Sequence, residues 1–277
     1  MKLALIQEKQ NRLYRFRESE LRFEEAEVRM LQMEMIEQNL ALLRRVDEER
    51  AQLALTSEAI NFPGQPFRSA LSPYQAVKDT QEYLLSSCSE IAQKKGICLA
   101  VGMFRAGKNQ KLYNSAVVFD GQGKEVFSYD KNFLAGEEKE YLTPGRGFPV
   151  WQSEFGRIGI GICWDMQFPE TARSYAGQGA DLILCPTWGW EEIYGRSRAY
   201  ENGIYVASAM AVPAWKPIEG RRTPSQTVGP DGAVLAQGPA DRAEVVYSDL
   251  GDIRDCREMR RLRMEDLEWR LSGKENV

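Results

Sequence analysis

The sequence predicts a layered α/β fold in which two β-sheets lie face to face with helices outside. Two observations carry that expectation. Strand-like runs outnumber what one parallel sheet requires, and they mix helix-separated buried runs with alternating pairs joined by short turns. The 277 residues also show no shift in composition that would divide them, and they are long enough for one large core.

Residues 2–7 (KLALIQ) read as a first strand. Residues 17–50 are rich in Glu, Arg, Leu and Met and hold no Gly or Pro, the conditions for a long helix. One helix of roughly 50 Å, at 1.5 Å per residue, is the simplest reading. Its stripe at Leu21, Val28, Met35 and Leu42 is not a strict heptad, so packing on its own domain is preferred to a solvated face or a subunit contact. Residues 52–57 form a second strand ending at Glu58, just before a loop with Pro63 and Gly64. A carboxylate there suits a functional placement, and equally a surface charge.

Residues 74–95 have helical spacing and residues 97–104 read as a buried strand. Residues 112–119 and 124–129 flank DGQG, a hairpin turn, and Lys131 follows directly. Residues 134–145 form an acidic loop closed by Pro144 and Gly145.

The stretch at residues 156–173, GRIGIGICWDMQFPETAR, reads as strand, sharp turn and helix. Ile158, Ile160 and Ile162 alternate with Gly159 and Gly161, a short buried strand with close backbone approach on one face. Pro169 and Glu170 suit a first helical turn. Cys163 at the turn is either an activated thiol near a helix start or a buried structural cysteine.

Residues 180–186 are another buried strand, with Cys185 in the core, and Trp188 and Trp190 just beyond either wall a pocket or cap the core. A helix at about 193–202 leads to a strand at 204–212. A second hairpin joins 226–228 to 234–237 across GPDG, and 243–249 is the last strand. Residues 252–277 are charged with a helical pattern, either frayed in solvent or docked on a partner.

Composition excludes several classes. With 36 lysines and arginines against 40 aspartates and glutamates, nothing argues for nucleic acid or an anionic membrane as a partner. No stretch approaches the ~20 apolar residues of a membrane span, and the run at residues 1–7 is too brief for a signal peptide, so a cytoplasmic location is expected. The five cysteines include no C-x-x-C pair and are expected to be reduced. Histidine is absent, which rules out Ser-His-Asp and Cys-His catalysis and histidine-containing zinc sites. No metal or cofactor is expected. A nucleophilic Cys163 would need a carboxylate, lysine or tyrosine as its base.

In chain order, Glu58 in LTSEAINFPG, Lys131 in SYDKNFL, Glu138 in GEEKEYLTPG and Cys163 in GIGICWDMQFPE resemble the nitrilase superfamily of carbon-nitrogen hydrolases. GAD at 179–181, RAYEN at 198–202 and PDG at 230–232 match the same pattern. The resemblance implies a four-layer α-β-β-α sandwich over residues 1–250, followed by a charged tail at 251–277. Two departures stand out: a helical insertion at about 8–37, and Ser57 where the family often has proline.

The resemblance further implies Glu58, Lys131 and Cys163 as the catalytic set, with Glu138 in support. Cys163 would attack an amide carbon to form a thioester, which splits one difficult step into two. Glu58 is then the general base, and Lys131 with the backbone N–H of Trp164 would stabilise the oxyanion. Glu138 is chosen over Glu137 and Glu140 because it stands seven residues before Gly145, as the E-K-x-Y-x-x-P-G pattern of the family it resembles has it. Trp164, Trp188 and Trp190 are the candidates for the substrate pocket. Asp165 and Glu170 are read as local structure, a turn or cap acceptor and a helix-start charge.

C-W-D-x-x-F-P-E is similar to the amidase and carbamoylase branches, which implies a small amide or N-carbamoyl substrate. A nitrilase, an acyltransferase and a catalytically silent interaction protein are the alternatives. A homodimer or higher homo-oligomer is expected, with the helices near 171–177 and 193–202 supplying the interface that the resemblance implies and the tail reaching across. A blocking helix at 17–50 would instead give a monomer or a different dimer.

Overall fold

The computed structural model describes residues 1–15, 21–216, 218 and 220–271. The first half of the chain runs β1 (Lys2–Gln7), β2 (Lys9–Gln10), α1 (Glu25–Arg44), β3 (Leu53–Thr56), α2 (Pro73–Lys95), β4 (Cys98–Ala106), β5 (Leu112–Phe119) and β6 (Glu125–Asp130). A short α3 (Glu138–Tyr141) then leads to β7 (Trp151–Gln152), β8 (Arg157–Ile160), α4 (Pro169–Gly177), β9 (Leu182–Thr187), α5 (Glu192–Asn202) and β10 (Tyr205–Met210). The chain continues through β11 (Val212–Pro213), β12 (Gln226–Val228), β13 (Val234–Gln237), β14 (Glu244–Asp249) and α6 (Arg257–Leu271).

Two six-stranded sheets result, ordered β14-β1-β3-β4-β5-β6 and β13-β12-β10-β9-β8-β7, with β2 and β11 pairing apart. Period-two alternation explains why they stack. Leu3, Leu5, Leu53 and Leu55 of the first sheet meet Ile158, Ile160, Leu182 and Leu184 of the second in one core. The intervening residues Ala4, Ile6 and Ala54 face outward, onto Ile36, Leu40 and Leu43 of α1 and Leu84, Cys88 and Ile91 of α2. On the far side, Ile183, Cys185 and Val206 pack on Ala172, Tyr175 and Ala199 of α4 and α5. This is the four-layer α-β-β-α sandwich that the sequence led us to expect.

Both hairpins form antiparallel pairs, β5 with β6 and β12 with β13. The glycines of the elbow also behave as read. A Cβ on Gly159 would lie 2.5 Å from the Tyr175 ring, and one on Gly161 would lie 2.8 Å from Met166 Sδ, so neither position has room for a side chain.

Two expectations need correction. The long helix is α1 alone, shorter at both ends than the 17–50 span, whose start at Arg17 lies outside the described residues. Tertiary pairing overrides propensity at its N-terminal side, where Phe23 forms a bridge with Ser69 and donates its N–H to Arg68 O. At the other end Val46 turns into the core beside Leu42 and Leu43. The helical insertion expected at about 8–37 is consistent with α1, whose Glu25–Arg44 span overlaps it.

The second correction concerns the tail. As far as it is described, α6 packs on its own chain rather than standing off toward a partner. Arg257 and Arg260 pair with the buried Asp181, each at 2.8 Å, and Met264 Sδ accepts from Arg173 of α4. Burial pushes the Asp181 carboxyl up, but hydrogen bonds from Arg257, the Arg157 backbone and Arg260 outweigh it and hold the group below the usual aspartate range.

Asp181→Asn should therefore destabilise the fold by about 3 kcal/mol, the low end for a broken buried pair because Arg257 is half-exposed. Hydrogen exchange should speed up first in α6. Unchanged α6 protection would show that this pairing does not hold the helix.

Candidate active site

The site lies where strands of both sheets end. Glu58 follows β3, Lys131 follows β6, Cys163 comes three residues after β8, and Trp188 comes just after β9. Together with Glu138 and Trp164 they line one cavity of about 460 Å³, whose mouth also carries Glu137, Glu191 and Arg222.

Lys131 is 1% exposed and lies between two carboxylates, with Nζ 2.9 Å from Glu58 Oε1 and 2.8 Å from Glu138 Oε2. Of the three neighbouring glutamates, Glu138 makes this contact, and Ala135 N–H donates to its Oε2 as well (2.7 Å). Burial pulls the Lys131 ammonium down, yet the charges of Glu58 and Glu138 more than offset it, so its pKa is raised and it stays protonated. Glu58 is pushed above the usual carboxylate range by burial, against the attraction of Lys131. A buried carboxylate of raised pKa is a better proton acceptor than an exposed one.

Glu58 is held from several directions. Asn114 Nδ2 donates to its Oε1 (2.8 Å), Trp188 N–H donates to its Oε2 (3.2 Å), and Trp188 Nε1 donates to its backbone carbonyl (2.6 Å). Asn114 also reaches Glu138 Oε1 at 3.4 Å. Sequence reading missed Asn114, whose signal was an amide inside the apolar run LYNSAVVF of β5.

Cys163 adopts φ +45°, left-handed backbone that a non-glycine residue enters at a cost on the order of 1–3 kcal/mol. A strained turn of this kind lifts a side chain out of the strand toward a cavity. Burial, then the charge of Glu58, push the Cys163 thiol up to about 12, with Lys131 and a hydrogen bond to Thr187 acting the other way. The helix-start argument for a thiolate therefore loses to desolvation, and the resting sulfur carries its proton.

Asp165 does more than cap the turn. Its Oδ2 accepts from Ile162 N–H (2.9 Å) and from Tyr129 hydroxyl (2.8 Å), while Oδ1 accepts from Phe133 N–H (2.8 Å). One buried carboxylate thus ties the Cys163 turn to the segment after Lys131. Glu170 lies in the first turn of α4, as read, behind Pro169.

The tryptophans divide. Trp164 and Trp188 line the cavity. Trp190 does not: it is fully buried, its Nε1 donates to Gln226 (3.2 Å), and its ring lies edge-on to Tyr194. The strand ends at Thr187, so strand alternation no longer places residues 188 and 190 on the same side.

With the thiol protonated at rest, alkylation of Cys163 by iodoacetamide should accelerate steadily from pH 7 to pH 10 without levelling off. A plateau near pH 7 would reveal a stabilised thiolate instead.

The family model for carbon-nitrogen hydrolases matches residues 2–261. Human omega-amidase NIT2 is 31% identical over 79% of this chain and 83% of its own length. A probable nitrilase of Schizosaccharomyces pombe is 31% identical over 66% and 72% of the two chains. An amidase from Nesterenkonia sp. AN1, solved with acrylamide added to its active-site cysteine, superposes with TM-score 0.70 at 25% identity over 96% of this chain and 99% of that one. A carbon-nitrogen hydrolase from Helicobacter pylori G27 shares the fold, with TM-score 0.78 at 22% identity over 99% and 96%. A family match over almost the whole chain agrees with the sandwich and with the strained cysteine, and the chain belongs to the carbon-nitrogen hydrolase family.

Proposed function

We propose that this protein hydrolyses a small amide to a carboxylic acid and ammonia through a thioester on Cys163. The observation that carries this reading is the buried Glu58–Lys131–Glu138 chain of charges beside a strained, protonated cysteine. Such a cysteine needs a base at the moment of attack, and Glu58 is the carboxylate whose charge bears most strongly on it.

Cys163 Sγ attacks the carbonyl carbon as its proton passes to Glu58. Lys131 Nζ and the Trp164 backbone N–H receive the oxyanion, and because they are fixed in advance they need no reorganisation. The C–N bond breaks, the nitrogen takes the proton from Glu58, and ammonia leaves. Water then attacks the thioester while Glu58 accepts its proton, and that proton returns to sulfur as the acid departs. Glu138 keeps Lys131 charged and in place.

The names of the omega-amidase and amidase relatives support an amide over a nitrile. An N-carbamoyl compound would suit the same chemistry. Arg222, Glu137 and Glu191 at the mouth suit a substrate with a polar far end.

Ammonia release should be greatest on short amides in a panel that also holds N-carbamoyl compounds and nitriles. Cys163→Ala should lower it by about 10⁴-fold or more, and Lys131→Met by on the order of 10²- to 10³-fold. Cys185→Ala should remain active, since that residue packs in the core. Wild-type turnover by Cys163→Ala would sink the proposal.

Assembly as a homodimer fits the same reading. Ile193 (70% exposed) and Tyr200 on α5, with Leu262 on α6, leave apolar side chains in solvent on the outer helical layer. Light scattering should give twice the 31.5 kDa chain mass, and Ile193→Asp should shift it toward the single chain. A monomeric wild type would remove the dimer.

A further inference from the structure

The turn that presents Glu58 is strained. Ala59, the next residue, has φ +48°, so the backbone there must be held from outside. On one flank, Ser57 Oγ donates to Glu8 Oε1 (2.7 Å). On the other, Tyr14 hydroxyl donates to Ala59 carbonyl (3.1 Å). Both holding residues come from the connection between β1 and α1, and neither lines the cavity.

The first residues of this connection are themselves well anchored. Val212 N–H donates to Glu8 carbonyl (2.9 Å) where β11 meets β2, Lys9 N–H donates to Gln38 Oε1 (2.7 Å), and Asn11 Nδ2 donates to Leu31 carbonyl (2.7 Å). Asn39 of α1 donates to the second oxygen of Glu8. The Tyr14 ring lies edge-on to Trp188 with centroids 5.0 Å apart, and Trp188 in turn donates to the Glu58 carboxylate and carbonyl.

We propose that residues 8–14, at the start of the β1–α1 connection, form a strap that positions Glu58, with Glu8 and Tyr14 as positioning residues acting through Ser57, Ala59 and Trp188. It rests on the role of Glu58 as the base. A fully buried Glu8 with no cation beside it among the described residues is costly unless the group is neutral, and burial pushes its carboxyl up to about 8 against the Ser57 hydrogen bond. Protonated Glu8 can reverse the Ser57 contact, donating to Ser57 Oγ while its other oxygen accepts from Asn39, a pattern that a glutamine side chain copies. The strap therefore needs the hydrogen bonds of Glu8, not its charge.

The test compares Glu58→Gln, Tyr14→Phe, Glu8→Leu and Glu8→Gln in the full chain, on the best amide of the panel, with active sites counted by alkylation. Tyr14→Phe keeps the ring and its packing. It should lower kcat about tenfold and leave KM within twofold, the signature of a displaced catalytic group rather than a damaged pocket. Glu8→Leu should lose kcat in the same way, and Glu8→Gln should restore it to within twofold of wild type. Wild-type kcat in Tyr14→Phe and in folded Glu8→Leu, beside an inactive Glu58→Gln, would overturn the strap alone. An active Glu58→Gln would overturn the role of Glu58 and the strap with it. If Glu8→Leu fails to fold, Tyr14→Phe and Glu8→Gln decide.

Discussion

The structure depends on keeping Lys131 charged where water does not reach. Taking an ammonium out of water costs several kcal/mol, and only close, well-oriented carboxylates offset it. Glu58 and Glu138 supply two, from elements 73 and 7 residues away in sequence, so the charge is compensated only when β3, β6 and α3 are all in place. Two negative charges around one positive leave the cluster short of one cation. Burial raises Glu58 and makes a Cys163 thiolate unfavourable, and the surplus negative charge adds to both and keeps Lys131 protonated. Every proton the chemistry needs is thus already placed on a group that holds it at neutral pH.

The sandwich and its strand ends were legible because they follow from period-two alternation and turn residues, which are local. Leu3 and Leu5 facing one way and Ala4 and Ile6 the other can be read from six residues. The convergence of Glu58, Lys131, Glu138 and Cys163 was not readable from spacing alone, since each taken singly is an ordinary charge or thiol. It took the order of several motifs to connect them. Asn114 and the tie made by Asp165 escaped because their partners are distant in sequence. The start of α1 was misjudged for the same reason: a bridge to Ser69 decides it, and no propensity registers that.

Trp188 and Trp190 show where local pattern runs out. Two residues apart after a strand, they look equivalent, yet one donates two hydrogen bonds to Glu58 and the other is core. What separates them is the end of β9 at Thr187, beyond which the backbone no longer obliges alternate residues to share a face.

Strain appears once on each sheet at this site. Ala59 after β3 and Cys163 after β8 both take positive φ, and both turns are held by hydrogen bonds to distant segments of the chain. Asp165, pushed up to about 6 by burial, is still ionised at neutral pH and can accept from Ile162, Tyr129 and Phe133 at once, so the Cys163 turn is fixed relative to Lys131. The Glu58 turn has no such carboxylate of its own. Its constraint comes from Trp188 on the second sheet and from the connection after β1, so each reactive side chain is located by elements of the opposite layer. In the proposed reaction the base Glu58 and the nucleophile Cys163 are carried on different sheets and stay in register only while the two sheets stay packed, so the shared core of Leu55, Ile160 and Leu184 behind them is as much a part of the proposed catalytic geometry as the hydrogen bonds in front.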